Sequence, residues 1–464
     1  MRHPLIIVRP ASAYVKRSCH SHHALIAKSL FSLGLMVLIA TRSAVGSSPR
    51  QFAKANAALH PYMGWSSWSF MRENITEAKI KAQARVLAAR LEPFGYDYIN
   101  IDSGWSNGFD RYGRPKPNFK RFPDGMRGMA AWLHKRGLKL GIYLVPGLSR
   151  AVYQANCRIL GTPYTVREIV NKSESGNTLS NYFYRINYAK PGAMAYIQSC
   201  ANLFAHWGVD FIKMDFVGPG GGYKGFRRTD NRPDIEHWAE ALKNTGRPIW
   251  LELSNGLSLK YANFWRKYAN GWRIDNDIEA YNTPYLTSWA RARTRFSAVA
   301  KWAKYAGPGG WNDLDSLDIG NGRRDGLTPD ERRSVLTLWC ISCSPLYIGD
   351  DLTHLTARGF SILTNRAVIA IDQAGRVATP LSTATSQQVW RIKNPHGVFI
   401  VALFNLGPKR SKVTVRWREL GFHGSAVVRD LWRHKNLGIF HHGFGTTLAV
   451  HECRLLRVRR ILNE

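Results

Sequence analysis

From residue 60 to about residue 350 one pattern recurs: a short apolar run, a polar end, a loop and a stretch of helical periodicity. The candidate strands are residues 62–68, 96–102, 138–144, 210–215, 248–254, 271–277, 309–315 and 345–349. Eight strands alternating with helices over about 290 residues predict a (β/α)8 (TIM) barrel. An open doubly wound α/β sheet is the alternative, but no GxGxxG or P-loop follows the first strand.

The sequence after about residue 370 changes character. Short β-rich runs such as VFIVALFNL, KVTVRW and SAVVRDLW alternate with turns and contain no long helical pattern. This predicts a C-terminal antiparallel β-sandwich over residues 373–464, which follows a catalytic barrel over residues 55–372. We expect the boundary at Asp372–Arg376, with no long linker.

The ends of the predicted barrel strands carry the functional signal, because a barrel builds its active site at the C-terminal ends of its strands. Six of these end residues are Trp68, Asp102, Asp215, Ser254, Asp277 and Asp315. One aspartate could simply cap the next helix, but four at four strand ends predict a shared anionic site. Asp215 follows Lys213 and Asp277 follows Arg273, so each carboxylate has a nearby cation. A carboxylate pair beside a sugar bond is the equipment of glycoside hydrolysis.

The N-terminus predicts an export signal over residues 1–46. This segment has six basic residues and no acidic one, and its run SLFSLGLMVLIAT has 13 residues and no charge. That length suits a signal peptide and falls short of the roughly 20 residues that cross a bilayer. Small residues at 44–46 offer a cleavage site, so we expect a secreted or periplasmic protein. No other stretch predicts a membrane span.

The chain is strongly basic, with 65 Lys and Arg against 32 Asp and Glu and a net charge of +33. These basic residues are scattered as singles and pairs, and no recognition helix, RNP-like strand or zinc motif accompanies them. They therefore predict a solvated basic surface and no specific nucleic-acid partner. Cys340 and Cys343 form a CxxC in an apolar stretch without further ligands, which favours buried core cysteines over a metal site.

Several motifs together resemble the α-galactosidases of glycoside hydrolase family 27, in family order. They include MGWSSW (63–68), YDYINID (96–102), FIKMD (211–215), WRIDNDI (272–278) and AGPGGWNDLDSLDIGN (306–321). The resemblance covers about residues 60–457 and implies a retaining hydrolase with no metal and no organic cofactor. It also implies an α-galactoside oligosaccharide or polysaccharide as the substrate. Whether the chain forms a homo-oligomer stays open.

The resemblance also implies roles for individual residues. Asp215 matches the catalytic nucleophile and Asp277 the general acid/base. Asp275 is a rival acid, because it lies two residues away and would face the same side of a strand. The predicted substrate-binding set is Trp68, Asp102, Ser103, Lys213, Ser254, Arg273 and Asp315.

Two departures from the family pattern bear on the sugar. Asp102-Ser103 replaces a pair of aspartates that receives the 4- and 6-hydroxyls, and Ser254 stands where a glutamate often receives the 2-hydroxyl. Because of the first departure, β-L-arabinopyranosidase activity stays an alternative, since β-L-arabinopyranose is galactose without its C6 group. This alternative does not hold if a neighbouring loop supplies the missing carboxylate. The second keeps an α-N-acetylgalactosaminidase open, although Leu257 argues against room for an acetamido group. A non-catalytic carbohydrate-binding protein is a remote alternative.

Overall fold

The computed structural model describes residues 58–179, 182–220 and 229–461, which lie in one compact unit, Ala53–Glu464. The export leader predicted over residues 1–46 lies outside these ranges. None of the helices within them combines the length and the apolar character that crossing a bilayer requires.

Eight parallel strands form the first sheet, one for each predicted run. They are β1 (Met63–Ser66), β2 (Tyr98–Ile101), β3 (Lys139–Leu144), β4 (Phe211–Met214), β5 (Trp250–Leu253), β6 (Gly271–Arg273), β7 (Trp311–Asp313) and β8 (Leu346–Ile348). Their order is β7-β6-β5-β4-β3-β2-β1-β8. Leu317, just after β7, bridges to Ile348 of β8, so the sheet curls back on itself. The predicted TIM-barrel fold class is confirmed.

Helices follow the strands as the alternating pattern predicted. They are α1 (Glu77–Val86), α2 (Gly125–His134), α3 (Arg150–Ala155), α4 (Ala193–Trp207), α5 (Arg232–Asn244), α6 (Ala262–Tyr268), α7 (Trp289–Trp302), α8 (Pro329–Ser342), α9 (Ala357–Leu363) and α10 (Arg366–Gln373). Shorter helical turns lie at Trp68–Met71, Leu87–Leu91, Glu92–Phe94, Leu259–Tyr261, Ala303–Tyr305, Gly322–Asp325, Leu352–His354 and Trp417–Leu420. The start of α8 is set by a capping box, in which Thr328 and Glu331 bond each other's backbone N–H groups.

Two insertions decorate the rim of the barrel. Between β2 and α2, Ser106–Phe109 pairs with Pro115–Pro117. Between β3 and α4, a small antiparallel sheet contains Leu148–Ser149, Val170–Ser175 and Phe183–Ile186.

Alternation along the strands divides their side chains between the barrel interior and the surrounding helices. An aromatic layer fills the interior at the N-terminal ends of the strands: Tyr62, Tyr98, Phe211, Trp250, Trp311 and Tyr347. Successive interior positions on β4 then run from Phe211 through Lys213 to Asp215, which is the first residue after the strand. The period of two therefore carries the interior from an aromatic floor to a charged rim.

The C-terminal strands form the predicted antiparallel sandwich. They are β9 (Thr379–Ser382), β10 (Gln387–Lys393), β11 (Val398–Asn405), β12 (Ser411–Arg416), β13 (Ser425–Asp430), β14 (Lys435–His441), β15 (Gly443–Leu448) and β16 (Cys453–Arg460). One sheet has the order β9-β10-β11-β16-β13-β14, and β12 pairs with β15. On β11, Val401 and Leu403 enter the sandwich core, whereas Phe404 packs edge-on against Phe296 of the barrel at 4.9 Å between ring centroids.

The five cysteines of the described ranges are free thiols: Cys157, Cys200, Cys340, Cys343 and Cys453. Cys340 and Cys343 are both fully buried, as predicted for core cysteines.

Candidate active site

A lysine joins two carboxylates at the ends of β2 and β4. Lys213 Nζ donates to Asp102 Oδ2 at 2.8 Å and lies 3.8 Å from Asp215 Oδ2. Burial lowers the pKa of Lys213, but the charges of Asp102 and Asp215 outweigh that effect and raise it above its ordinary value. Lys213 is therefore a fixed positive charge between the two carboxylates.

Asp215 combines burial with an opening to solvent. Its Oδ1 accepts a hydrogen bond from the backbone N–H of Phe216 at 2.8 Å, and 13% of its side chain is exposed. Burial raises the pKa of Asp215, while Lys213 and Arg273 pull it down. A carboxylate that is held in place by the backbone N–H of the next residue and lies near cations is suited to attack an electrophilic carbon.

Arg273 and Tyr281 hold Asp277 in the loop after β6, and Trp68 in turn holds Tyr281. Arg273 forms an ion pair with Oδ1, and the hydroxyl of Tyr281 donates to Oδ2 at 2.9 Å. The indole Nε1 of Trp68 donates in turn to the Tyr281 oxygen at 2.9 Å. This chain of donors orients Asp277 and connects it to the predicted pocket residue Trp68.

The structure separates Asp277 from its rival Asp275. Because β6 ends at Arg273, both aspartates lie in a loop where strand alternation does not apply, so the expectation that they face the same side is wrong. Asp275 Oδ2 accepts from Thr294 Oγ1 of α7 at 2.6 Å and lies 3.6 Å from Arg295 Nη1. Asp277, in contrast, lies close enough to Asp215 to raise the pKa of that residue.

Asp315, a predicted substrate-binding residue, is surrounded by hydrogen-bond donors. It is 3% exposed, and its oxygens accept from Arg273 Nη1 at 3.1 Å, the Tyr347 hydroxyl at 2.9 Å and the Ile278 N–H at 2.9 Å. These bonds hold Arg273 in place, and the predicted contact of Asp315 with the substrate stays a prediction. Arg273 is itself 2% exposed and also donates to Asn255 Oδ1 at 2.9 Å.

The two serines that depart from the family pattern occupy different surroundings. Ser254 is 1% exposed, and its hydroxyl has no hydrogen-bond partner among the residues that the structure describes. Ser103 is partly exposed, and its hydroxyl donates to Glu73 Oε1 at 3.3 Å. Glu73 is an exposed residue of the loop after β1, so a carboxylate from a neighbouring loop lies next to Ser103.

Sequence reasoning missed Glu73, Tyr143, Glu279 and Tyr281. Tyr143 lies on β3, near enough to Asp215, Asp102 and Asp277 for their charges, after burial, to raise its pKa. Glu279 is 2% exposed, accepts from Ser69 Oγ at 2.8 Å and has a pKa that burial raises to about 8, with Asp315 and Asp277 adding to the effect. The strand alternation that places Asp102 and Asp215 on the interior face also offered a signal for Tyr143.

Three of these carboxylates form a tight group, since Asp277, Glu279 and Asp315 each place an oxygen within 4.8 Å of the others. The guanidinium of Arg273 bonds both Asp277 and Asp315 from within this group. The positive charge that these carboxylates need is therefore supplied by Arg273. In chemical terms, the rim offers two carboxylates with different environments, a fixed lysine and a buried arginine, which is a set suited to acid–base and nucleophilic work at a sugar carbon.

Two family models and several known proteins match this chain over most of its length. The family model for alpha galactosidase A (Melibiase_2) matches residues 60–156 and 180–374, and that for the alpha galactosidase C-terminal beta sandwich domain matches residues 384–458. Alpha-galactosidase 2 of Arabidopsis thaliana is 29% identical over 431 residues, which cover 92% of this chain and 96% of the relative. Alpha-galactosidase 3 of the same plant is 32% identical over 405 residues, which cover 85% and 80%.

Among solved structures, the chain is similar to a GH27 β-L-arabinopyranosidase from Geobacillus stearothermophilus. The identity is 31%, the TM-score is 0.81, and the match covers 88% of this chain and 98% of that one. Alpha-galactosidase I from Mortierella vinacea has 26% identity and a TM-score of 0.69, with 88% and 98% covered.

Proposed function

The chain belongs to glycoside hydrolase family 27, and on that premise we propose that it is a retaining α-galactosidase that releases terminal α-D-galactose by double displacement. One observation carries the proposal: Asp215 and Asp277 approach each other at the rim while their backbone and cationic contacts hold them in different environments. Opposed environments for two carboxylates are how one site separates a nucleophile from an acid.

In the first step, Asp215 attacks the anomeric carbon while Asp277 gives its proton to the glycosidic oxygen. The bond between carbon and leaving oxygen breaks, and an ester joins the sugar to Asp215. In the second step, Asp277 takes a proton from water, whose oxygen attacks the same carbon and releases Asp215. Two inversions give net retention, which requires the carboxyl groups to lie about 5–5.5 Å apart.

The surrounding groups serve these two steps. Lys213, 3.8 Å from Asp215 Oδ2, favours the ionised nucleophile against the effect of burial. Tyr281 and Arg273 hold Asp277 so that its proton can be delivered in one direction. Asp102, whose Oδ2 is bonded to Lys213, matches the acceptor of the axial 4-hydroxyl and favours galacto-configured rings.

A second candidate activity is that of a β-L-arabinopyranosidase. It is favoured by Ser103, which places a neutral hydroxyl where a carboxylate would receive the 6-hydroxyl, and by similarity to an enzyme of that activity. Glu73, bonded to Ser103, favours galactose, because its carboxylate can serve as the missing acceptor. We therefore place α-galactoside hydrolysis first and expect β-L-arabinopyranosides as a second substrate class.

We further propose that residues 1–46 direct export and that the mature protein begins near residues 45–50. The basic, acid-free leader and its 13-residue uncharged run support this proposal. N-terminal sequencing of secreted or periplasmic material tests it. An intact leader on a cytoplasmic protein contradicts it.

The proposed activity is tested with a panel of p-nitrophenyl glycosides, on which the α-D-galactoside should be the best substrate. NMR of the first-formed sugar should show the α anomer of galactose. A fluorinated galactoside should trap the enzyme and label Asp215. Label on Asp275 or Asp277, or β-galactose as the first product, contradicts the proposed mechanism.

A further inference from the structure

A cleft of about 720 Å³ lies where the barrel meets the sandwich. Its basic lining comes from both domains: Arg333 on α8, Arg358 on α9 and Arg366 on α10, with Arg433 and Arg454 from the sandwich. We call it the arginine cleft, defined by these five arginines. It shares no residue with the candidate active site, and its size is that of a small-ligand pocket.

The arginine cleft has a large excess of positive charge. Among the described residues of its lining Asp430 is the one acidic residue, so five arginines and one aspartate give these residues a net charge of +4. Asp430 is 1% exposed, and its Oδ2 lies 3.1 Å from Arg454 Nη1 and 4.0 Å from Arg433 Nε. Its Oδ1 accepts the backbone N–H groups of Trp432 and Arg433. The Asp430 carboxylate therefore bonds groups of the cleft wall itself.

Two of the arginines are exposed and lack an ion pair within the described part of the chain, Arg358 and Arg366. The guanidinium of Arg366 lies over the ring of Phe94, 4.3 Å from its centroid, so its position is defined by stacking. Arg333 has a partner, Asp330 at 3.3 Å, but both side chains are about one-third exposed and such pairs are weak. The cleft therefore presents cations that an anion can use.

The chemistry of the lining narrows the class of anion. An arginine presents a planar fork of N–H donors that matches two oxygens of a carboxylate or of a phosphate, and the described residues of the lining include no lysine. Trp432 and Phe94 add aromatic surface, and the Trp432 ring is held by a hydrogen bond from its Nε1 to Thr337 Oγ1 at 2.9 Å. A sugar ring that carries a carboxylate can pack against this fixed aromatic surface while its carboxylate accepts hydrogen bonds from the neighbouring arginines.

We propose that the arginine cleft binds a carboxylate-bearing segment of a glycan, that is, a short run of uronic acid residues. The choice of a glycan rests on the proposed function, because the substrate of a glycoside hydrolase is a carbohydrate that can carry such residues. A volume of about 720 Å³ holds a few sugar rings, whereas nucleic-acid binding uses a basic groove that tracks a long backbone. The cleft is thus a second carbohydrate site on the molecule, selective for charge.

The experiment measures binding of trigalacturonate by isothermal titration calorimetry in about 0.15 M salt, where long-range attraction is screened. The test variant is Arg358→Glu/Arg366→Glu. The matched control is Arg410→Glu/Arg418→Glu, which makes the same charge change at exposed arginines of the sandwich away from the cleft. We expect the test variant to bind at least tenfold more weakly than the unmodified protein and the control to change less than twofold.

Three outcomes overturn the proposal. Equal losses in the two double variants mean that only the overall charge attracts the ligand. Tighter binding of inorganic triphosphate than of trigalacturonate, with the same dependence on Arg358 and Arg366, assigns the cleft to phosphate. A chain that binds no trigalacturonate lacks the site altogether.

Hydrolysis of a neutral p-nitrophenyl galactoside, measured on all variants, separates this proposal from the proposed function. Unchanged hydrolysis with lost binding supports the cleft, while binding without any hydrolysis supports the cleft and contradicts the activity. If the charge-reversal variant unfolds, Arg358→Gln/Arg366→Gln is measured instead. A melting temperature equal to that of the unmodified protein establishes that this variant is folded, and a wild-type affinity in it overturns the proposal.

Discussion

The candidate active site and the arginine cleft are both rich in charge, but they balance it differently. At the active site each cation contacts two carboxylates: Lys213 lies between Asp102 and Asp215, and Arg273 between Asp277 and Asp315. In the cleft, the described lining has five arginines and one aspartate. Asp430 pairs with Arg454 and Arg433, whereas Arg358 and Arg366 have no ion pair in the described part of the chain.

Burial explains the difference. Arg273 is 2% exposed, and a charge that is removed from water so completely is tolerated only with close partners. Arg358 and Arg366 of the cleft are exposed to solvent, so their charge needs no partner and stays available for a ligand. Charges that are paired, as at the active site, hold the side chains in the geometry that a reaction needs. Charges without a partner, as in the cleft, can bind an anionic ligand.

The largest effect is expected when one of the two catalytic carboxylates is removed. Asp215→Ala should lose essentially all hydrolysis, and Asp277→Ala should lower kcat by about 10²–10⁴ on substrates whose leaving group needs a proton. An activated aryl galactoside should partly spare formation of the glycosyl-enzyme in Asp277→Ala, but not in Asp215→Ala. Steady-state kinetics on both substrates measures this. Asp275→Asn is the matched control and should stay within about threefold of the unmodified enzyme.

The next prediction tests the difference in charge balance through stability. Arg273→Met leaves Asp277 and Asp315 without their shared cation, and breaking such a buried pair costs about 3–5 kcal/mol of unfolding free energy. Arg358→Met in the cleft should change it by no more than about 0.5 kcal/mol. Urea unfolding of both variants gives the comparison. Equal effects would show that Arg273 is no better integrated than a surface arginine.

A smaller effect is expected at the sugar's C6. Ser103→Asp restores a charged acceptor, and a return of about 1.4 kcal/mol in the transition state shifts the ratio of kcat/KM values tenfold towards α-D-galactoside over β-L-arabinopyranoside. Glu73→Gln is the companion variant, because Glu73 bonds the Ser103 hydroxyl. If Glu73 serves C6, Glu73→Gln shifts the ratio towards arabinopyranoside and Ser103→Asp adds little. An unchanged ratio in both variants means that neither position reads C6.

The smallest effect concerns Glu279 and the pH dependence of stability. Burial raises its pKa to about 8 from an ordinary value near 4.5, so the folded protein holds a proton there that the unfolded chain releases between those values. Stability from this group is present at low pH and is lost as pH rises towards 8, with a slope of at most about 1.4 kcal/mol per pH unit. Glu279→Gln should flatten the slope. Chemical denaturation at several pH values from 5 to 8.5 measures it, and an unchanged slope contradicts the assignment.

Some features followed from local pattern alone. Short apolar runs, their polar ends and the helical periodicity between them sufficed to predict the barrel, because each of these signals reflects how one element is buried. In the structure, the period of two along a strand places Lys213 and Asp215 on one interior face. It failed for Asp275 and Asp277, since β6 ends before them and a loop has no fixed period.

The sequence by itself determined the barrel, the sandwich and the strand ends at which charged residues gather, because each depends on residues near one another in the chain. Only the tertiary structure decided that Asp315 pairs with Arg273, that Glu73 reaches Ser103, and that arginines of α8, α9, α10 and the sandwich line one cleft. Ser103 and Glu73 are 30 residues apart, and Arg333 and Arg454 are 121 apart. No local pattern relates such pairs, because their contact depends on how the barrel closes and on how the sandwich packs against it.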